Sequence, residues 1–148
     1  MNDPRKPKVF CPVSGEIYFF IRADRENLYE AKIFDKDNPE DRNNFFLGNC
    51  FETAQDVKAA IEHLQVRALL RYHSSKSENW NVGVRIADDC CQITWTENIG
   101  KKADRNFSFD CSTEYDRAGV YFPYAEDARR AIEAIGPDRV KRYLGVRT

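Results

Sequence analysis

The chain lacks a charge imbalance: Lys and Arg total 23, Asp and Glu total 24, and the formal net charge is −1. That balance excludes a general polyanion binder, which needs a surplus of cations to displace counterions. No stretch approaches 18 consecutive apolar residues, so no membrane-spanning helix is expected. There is no C-x-x-C among Cys11, Cys50, Cys90, Cys91 and Cys111, and their number is odd. With no signal-like N-terminus, this pattern points to reduced thiols in a cytosol. Also missing are H-E-x-x-H, a Gly-rich phosphate loop and G-x-S-x-G. No cofactor or metal is therefore expected.

What is present suffices for folding. The 148 residues are 42% apolar and 13% aromatic, enough for one core without metals or disulfides. Residues 1–8 are polar with Pro4 and Pro7 and are expected to be a flexible end, leaving 9–148 as a single α+β domain. Charge is unevenly placed along the chain. Acidic residues dominate from Asp24 to Asp56, and basic residues dominate from Arg129 to Thr148. Two solvated faces would explain this, and so would a dipolar surface that fits a charged partner.

The N-terminal pattern predicts a meander. Val9 to Cys11 has β character, Pro12 to Gly15 carries turn chemistry, and Ile17 to Ile21 is dense in aromatic and β-branched residues. Leu28 to Phe34 is the expected paired strand. Asp35 to Asn44 is expected to be a polar loop. Its Asp35, Asp37 and Asp41 invite a calcium reading, but Glu40 and Phe46 occupy the positions where an EF-hand needs Gly and Glu. Asp35, Asp37, Glu40 and Asp41 remain a candidate acidic site for a partner.

Thr53, with Asp56 three residues on, predicts a capped helix to about Tyr72. Its inner face is expected to be Val57, Ile61, Leu64 and Ala68. A central hairpin follows: Val82, Val84 and Ile86, a turn at Asp88-Asp89, then Cys91, Ile93 and Trp95. Alternation at Phe107, Phe109 and Cys111 predicts a further strand, and Gly119 to Phe122 a last short one. Cys91 should point to the core, with its neighbour Cys90 exposed or at a sheet edge. The C-terminus reads as a helix pair. Ala128, Ile132 and Ile135 face inward, Gly136 ends the first helix in a left-handed conformation, and Pro137 opens the second with Val140, Tyr143 and Leu144 inside. The expected fold is an antiparallel sheet packed by one long helix and this C-terminal pair.

One helix-opening motif occurs twice. Residues 48–64 and 119–135 align without gaps, sharing Gly48/Gly119, Phe51/Phe122, Ala54/Ala125, Asp56/Asp127, Ala60/Ala131, Ile61/Ile132 and Glu62/Glu133. Ordinary strand-to-helix grammar could produce it, and so could duplication of a half. The second copy starts less well, because Tyr124 stands where Thr53 caps the first.

At these residues the chain resembles a family of small phage and prophage proteins with no assigned activity. The resemblance is carried by Gly48-Asn49-Cys50-Phe51-Glu52-Thr53 with Ile61 and Leu64. It continues through Trp80 and Asn81 to Tyr121-Phe122, Ala128, Ala131-Ile132, Ile135-Gly136, Arg139 and Tyr143-Leu144. It implies a non-enzymatic accessory protein that binds a host or phage macromolecule. Inhibition of a bacterial defence system, in the manner of anti-CRISPR proteins, is one form. A second possibility is nucleic-acid binding through Arg129, Arg130, Arg139, Lys141, Arg142 and Arg147, with Tyr18, Tyr115 and Tyr121 as stacking faces. A third is a small-ligand site, or an enzyme, built from residues distant in sequence. His63 is expected at a boundary and His73 at a helix end, where a cation suits the dipole.

Overall fold

A computed structural model describes residues 9–80, 90–96, 106–110 and 119–146. The expectations for residues 1–8, the strand Val82 to Ile86, the Asp88-Asp89 turn, Cys111, Tyr115 and Arg147 lie outside these. The fold is α+β, with a long helix, a C-terminal helix pair and two small antiparallel sheets. The chain forms two compact units, Met1–Leu64 and Gln65–Thr148.

In the first unit β1 (Ile17–Ile21) pairs antiparallel with β2 (Tyr29–Ile33) in the register Ile17–Ile33, Phe19–Ala31 and Ile21–Tyr29. Alternation sends Tyr18 and Phe20 into a core with Phe34 and Cys50. Val9 to Cys11 forms no strand, correcting the sequence expectation. The expected polar loop is also corrected: it contains a helix, α1 (Pro39–Phe46). Asn38 caps α1 by accepting from the N–H groups of Glu40 and Asp41, and Pro39 takes the first position. Gly48 follows with φ +69°, a conformation that spares glycine the Cβ clash.

The long helix α2 (Ala54–Lys76) starts as predicted. The Asp56 N–H donates to Thr53 Oγ1 at 3.1 Å, and Thr53 Oγ1 donates to Asp56 Oδ2 at 2.7 Å. It runs one turn beyond Tyr72. The predicted stripe does not persist along it: Val57 is buried, but Leu64 is 52% exposed and Ala68 is exposed. In the second unit the buried positions are instead Val66, Leu70 and Ser74, four residues apart. Each unit draws its own stripe from the one helix.

The second unit has β3 (Gln92–Thr96) antiparallel to β4 (Asn106–Asp110), with Trp95 opposite Phe107. The helices α3 (Ala125–Ile135) and α4 (Pro137–Tyr143) complete it. Its core joins Val66, Leu70, Cys91, Ile93, Phe122, Ala128, Ile132, Ile135 and Val140. Cys90 is 1% exposed, so both adjacent cysteines are buried and the exposed alternative for Cys90 is corrected. Gly136 has positive φ but extended ψ (109°, 123°), rather than the left-handed helical geometry expected.

The twice-used motif is placed the same way in both units. Phe51 forms a single antiparallel bridge to Phe19, and Phe122 forms one to Cys91, beside β3. Each Phe thus stitches its helix start to a strand. Tyr124 provides no side-chain cap, as its chemistry foretold.

Candidate docking surface

A buried polar network organises the first unit. Asp41 is 1% exposed. Its Oδ1 accepts from the Tyr18 hydroxyl at 2.8 Å and lies 2.6 Å from Lys32 Nζ, while its Oδ2 accepts from the Asp35 N–H at 2.8 Å. Asn44 Nδ2 donates to the Tyr18 hydroxyl at 3.0 Å. Asn49 Nδ2 donates to Asn44 Oδ1 at 3.1 Å. A buried carboxylate with three partners is held rather than orphaned. Burial pushes the Asp41 carboxyl up, but hydrogen bonds from Lys32, Tyr18 and the Asp35 N–H outweigh it, leaving it below the ordinary range. Burial likewise lowers the Lys32 ammonium, and its bonds to Asp41 and Glu40 reverse this and raise it. The Tyr18 hydroxyl is raised, mainly by burial.

This network turns α1 inside out. The helix buries Asp41 and Asn44, whereas Phe46 and the capping Leu47 are 78% and 81% exposed. At 100° per residue, Phe46 lies across the helix from both buried positions. Phe45 is partly covered, tilted against Phe34 at 6.5 Å between ring centres, and edge-on to Phe46 at 5.7 Å. An ordinary surface helix does the reverse, with apolar residues inward. Large apolar side chains side by side in water mark an interaction surface more often than an accident.

The four acidic residues predicted as a partner site are divided by the structure. Asp35 and Asp37 are exposed, with Asp35 Oδ1 accepting from the Asp37 N–H at 2.9 Å. Glu40 holds Lys32 at 2.9 Å. Asp41 is the buried anchor described above. Tyr18, expected as a stacking face, is fully buried within the same network.

The basic residues of the second unit are partly engaged. The Arg129 guanidinium lies 4.8 Å from the Phe109 ring centre and 3.7 Å from Glu126. Arg130 shares Glu126 at 3.9 Å. Lys141 sits 5.2 Å from the Trp95 ring centre and 3.9 Å from Asp138. Arg139 is half-buried and Arg142 exposed. Arg129 and Lys141 lie on aromatic faces, and Arg129, Arg130 and Lys141 stand beside carboxylates, which lowers the field they offer a phosphate backbone.

A polar cleft of about 350 Å³ lies between the end of α2 and α3, lined by His73, Lys76, Glu78, Asn79, Asp127 and Arg130. Asn79 Nδ2 donates to both Asp127 carboxylate oxygens at 2.9 and 3.0 Å, so that carboxylate is already spanned. Cys50 is buried. Burial chiefly, with the charge of Asp41, pushes its thiol up to about 11, opposite to the lowered thiol that a nucleophile uses. The chain matches no protein-family model, no curated protein and no solved structure.

Proposed function

We propose that the protein is a non-enzymatic binding protein that docks on a host or phage protein through the exposed end of α1. The observation that carries this reading is the inversion of α1, which spends buried space on Asp41 and Asn44 and leaves Phe46 and Leu47 to solvent. Asp41 and Asn44 hold the helix to the sheet, and the apolar pair on its far side is left for a partner to cover. Hydrogen bonds of Tyr18, Lys32 and Asn49 tie the helix and the turn after it to β1 and β2, which lowers the ordering cost of binding. The phage setting rests on the resemblance at Gly48 to Thr53 and Tyr121 to Leu144, and inhibition of a bacterial defence system is its concrete form.

Affinity capture from a phage-bearing host tests the reading, using the wild-type chain beside Phe46→Asp/Leu47→Asp. One protein retained by the wild type and lost by the folded variant is the expected result. Equal capture by both chains refutes α1 as the contact. Nucleic acid that is retained at low salt, released by added salt and indifferent to the α1 variant would favour the basic surface instead. In the same experiment, charge reversal at Asp35, Asp37 and Glu40 tests whether the acidic rim mimics phosphates; Asp41 is spared because it holds the fold.

A further inference from the structure

The edges of the first sheet are treated differently. Phe34 N–H donates to Glu16 O and Arg22 N–H to Leu28 O, each at 2.8 Å. Antiparallel ladders alternate, so Tyr18–Lys32 and Phe20–Glu30 are the inward hydrogen-bonded pairs. The backbone groups of residues at the odd positions therefore point outward from both strands. On β1 that edge is closed: Phe19 exchanges two hydrogen bonds with Phe51, at 2.9 and 2.8 Å. Ile21 exchanges two with the side-chain amide of Asn49, at 2.8 and 3.0 Å. On β2 the outward N–H and C=O groups of Tyr29, Ala31 and Ile33 meet no partner among the described residues. No proline or bulge guards this edge, and its two charged residues, Glu30 and Lys32, are engaged by Arg22 and by Asp41 on the sheet's inner face. Ile17 and Ile33, cross-strand neighbours on its outer face, are 62% and 63% exposed.

We infer that β2 pairs antiparallel with β2 of a second copy, about a twofold axis at Ala31, to make one four-stranded sheet. The charges of the strand select this register. Centred on Ala31, Glu30 of one copy lies opposite Lys32 of the other, twice by symmetry, so opposite charges are neighbours while Lys32 keeps Asp41 and Glu40 and Glu30 keeps Arg22. A twofold at Glu30 would oppose two carboxylates, and one at Lys32 would oppose two ammonium groups. The Ala31 register also puts Tyr29 opposite Ile33 of the second copy, an aromatic–β-branched pair. The small Ala31 sits at the axis, where its own copy approaches. The outward backbone groups are in phase with this register, since Tyr29, Ala31 and Ile33 all fall in hydrogen-bonded pairs. This inference stands apart from the α1 docking reading, because it uses the β2 backbone.

Sedimentation across a concentration series tests it, with Ala31→Pro as the blocking variant. Proline there removes an outward N–H that the fold does not use. The wild type should form dimers, and the variant should stay monomeric with an unchanged circular dichroism spectrum. Register is tested separately in a Cys11→Ser background. Ala31→Cys should cross-link to its own copy on mild oxidation, because paired Cα atoms about 5.5 Å apart fall within disulfide reach. Ile33→Cys should not, since it faces Tyr29. A wild type that stays monomeric at hundreds of micromolar, a folded Ala31→Pro dimer, or equal cross-linking of both cysteine variants would overturn the inference. If Ala31→Pro fails to fold, the cysteine pair decides.

Discussion

At the scale of single residues, Asp41 carries the most structural weight. Asp41→Ala should cost about 3 kcal/mol in denaturant unfolding, because it removes the buried partner of the Lys32 ammonium, the acceptor of the Tyr18 hydroxyl and that of the Asp35 N–H together, leaving Lys32 only the exposed Glu40. Tyr18→Phe keeps the ring and removes one donor, and should cost about 1 kcal/mol. The pH dependence follows from the lowered Asp41 carboxyl. Its contribution is whole above the unfolded value of about 4 and is lost as pH falls through the lower folded value. The raised Lys32 acts with the opposite sign, contributing fully below its unfolded value and fading as pH rises through the folded one. Stability against pH should therefore show a plateau through neutrality with an acid limb, and Asp41→Asn should flatten that limb. Thiol chemistry divides the same way. Cys11 is exposed while Cys50, Cys90 and Cys91 are buried, so alkylation of the native chain should label Cys11 first among these.

At the scale of elements, the repeated helix start offers a matched pair of tests. Thr53→Ala removes a working cap and should lower stability by about 1 kcal/mol. Tyr124→Thr installs a hydroxyl where the backbone is already extended (φ −140°, ψ 157°) and no side chain caps α3. It should raise stability by about 0.5 kcal/mol in the same assay, net of the half-exposed ring it removes. α2 was legible from its Thr53–Asp56 cap, and the C-terminal pair from the spacing of Ala128, Ile132 and Ile135 together with Gly136-Pro137. α1 was not, because its buried residues are Asp41 and Asn44, which no hydrophobic period can reveal. Its signals were local ones, Asn38 before Pro39 and Glu40, passed over because the segment is polar throughout. The β1–β2 hairpin was legible from composition, but its edge asymmetry depends on Asn49 and Phe51 folding back, contacts about thirty residues away in the chain.

At the scale of the molecule, charge and apolar surface separate the functional readings. The net charge of −1 and the engagement of Arg129, Arg130 and Lys141 with carboxylates and rings predict weak, salt-labile nucleic-acid binding. Gel shifts with DNA and RNA should vanish at physiological salt. The α1 surface predicts a protein partner anchored by Phe46, and Phe46→Ala should weaken that complex about thirtyfold, as loss of a central aromatic does.

The sequence by itself determined the α+β class, the starts of α2, α3 and α4, and the thiol and charge inventory. These depend on neighbours a few residues apart, where caps, turns and alternation act. Only the tertiary structure decided that Asp41 is a buried anchor, that α1 presents Phe46 and Leu47, and that the outward groups of β2 meet no partner among the described residues. Each of those depends on which distant groups meet. The pairing of Tyr18 with Asp41 and of Ile21 with Asn49 follows from packing, and no local pattern in the chain encodes it.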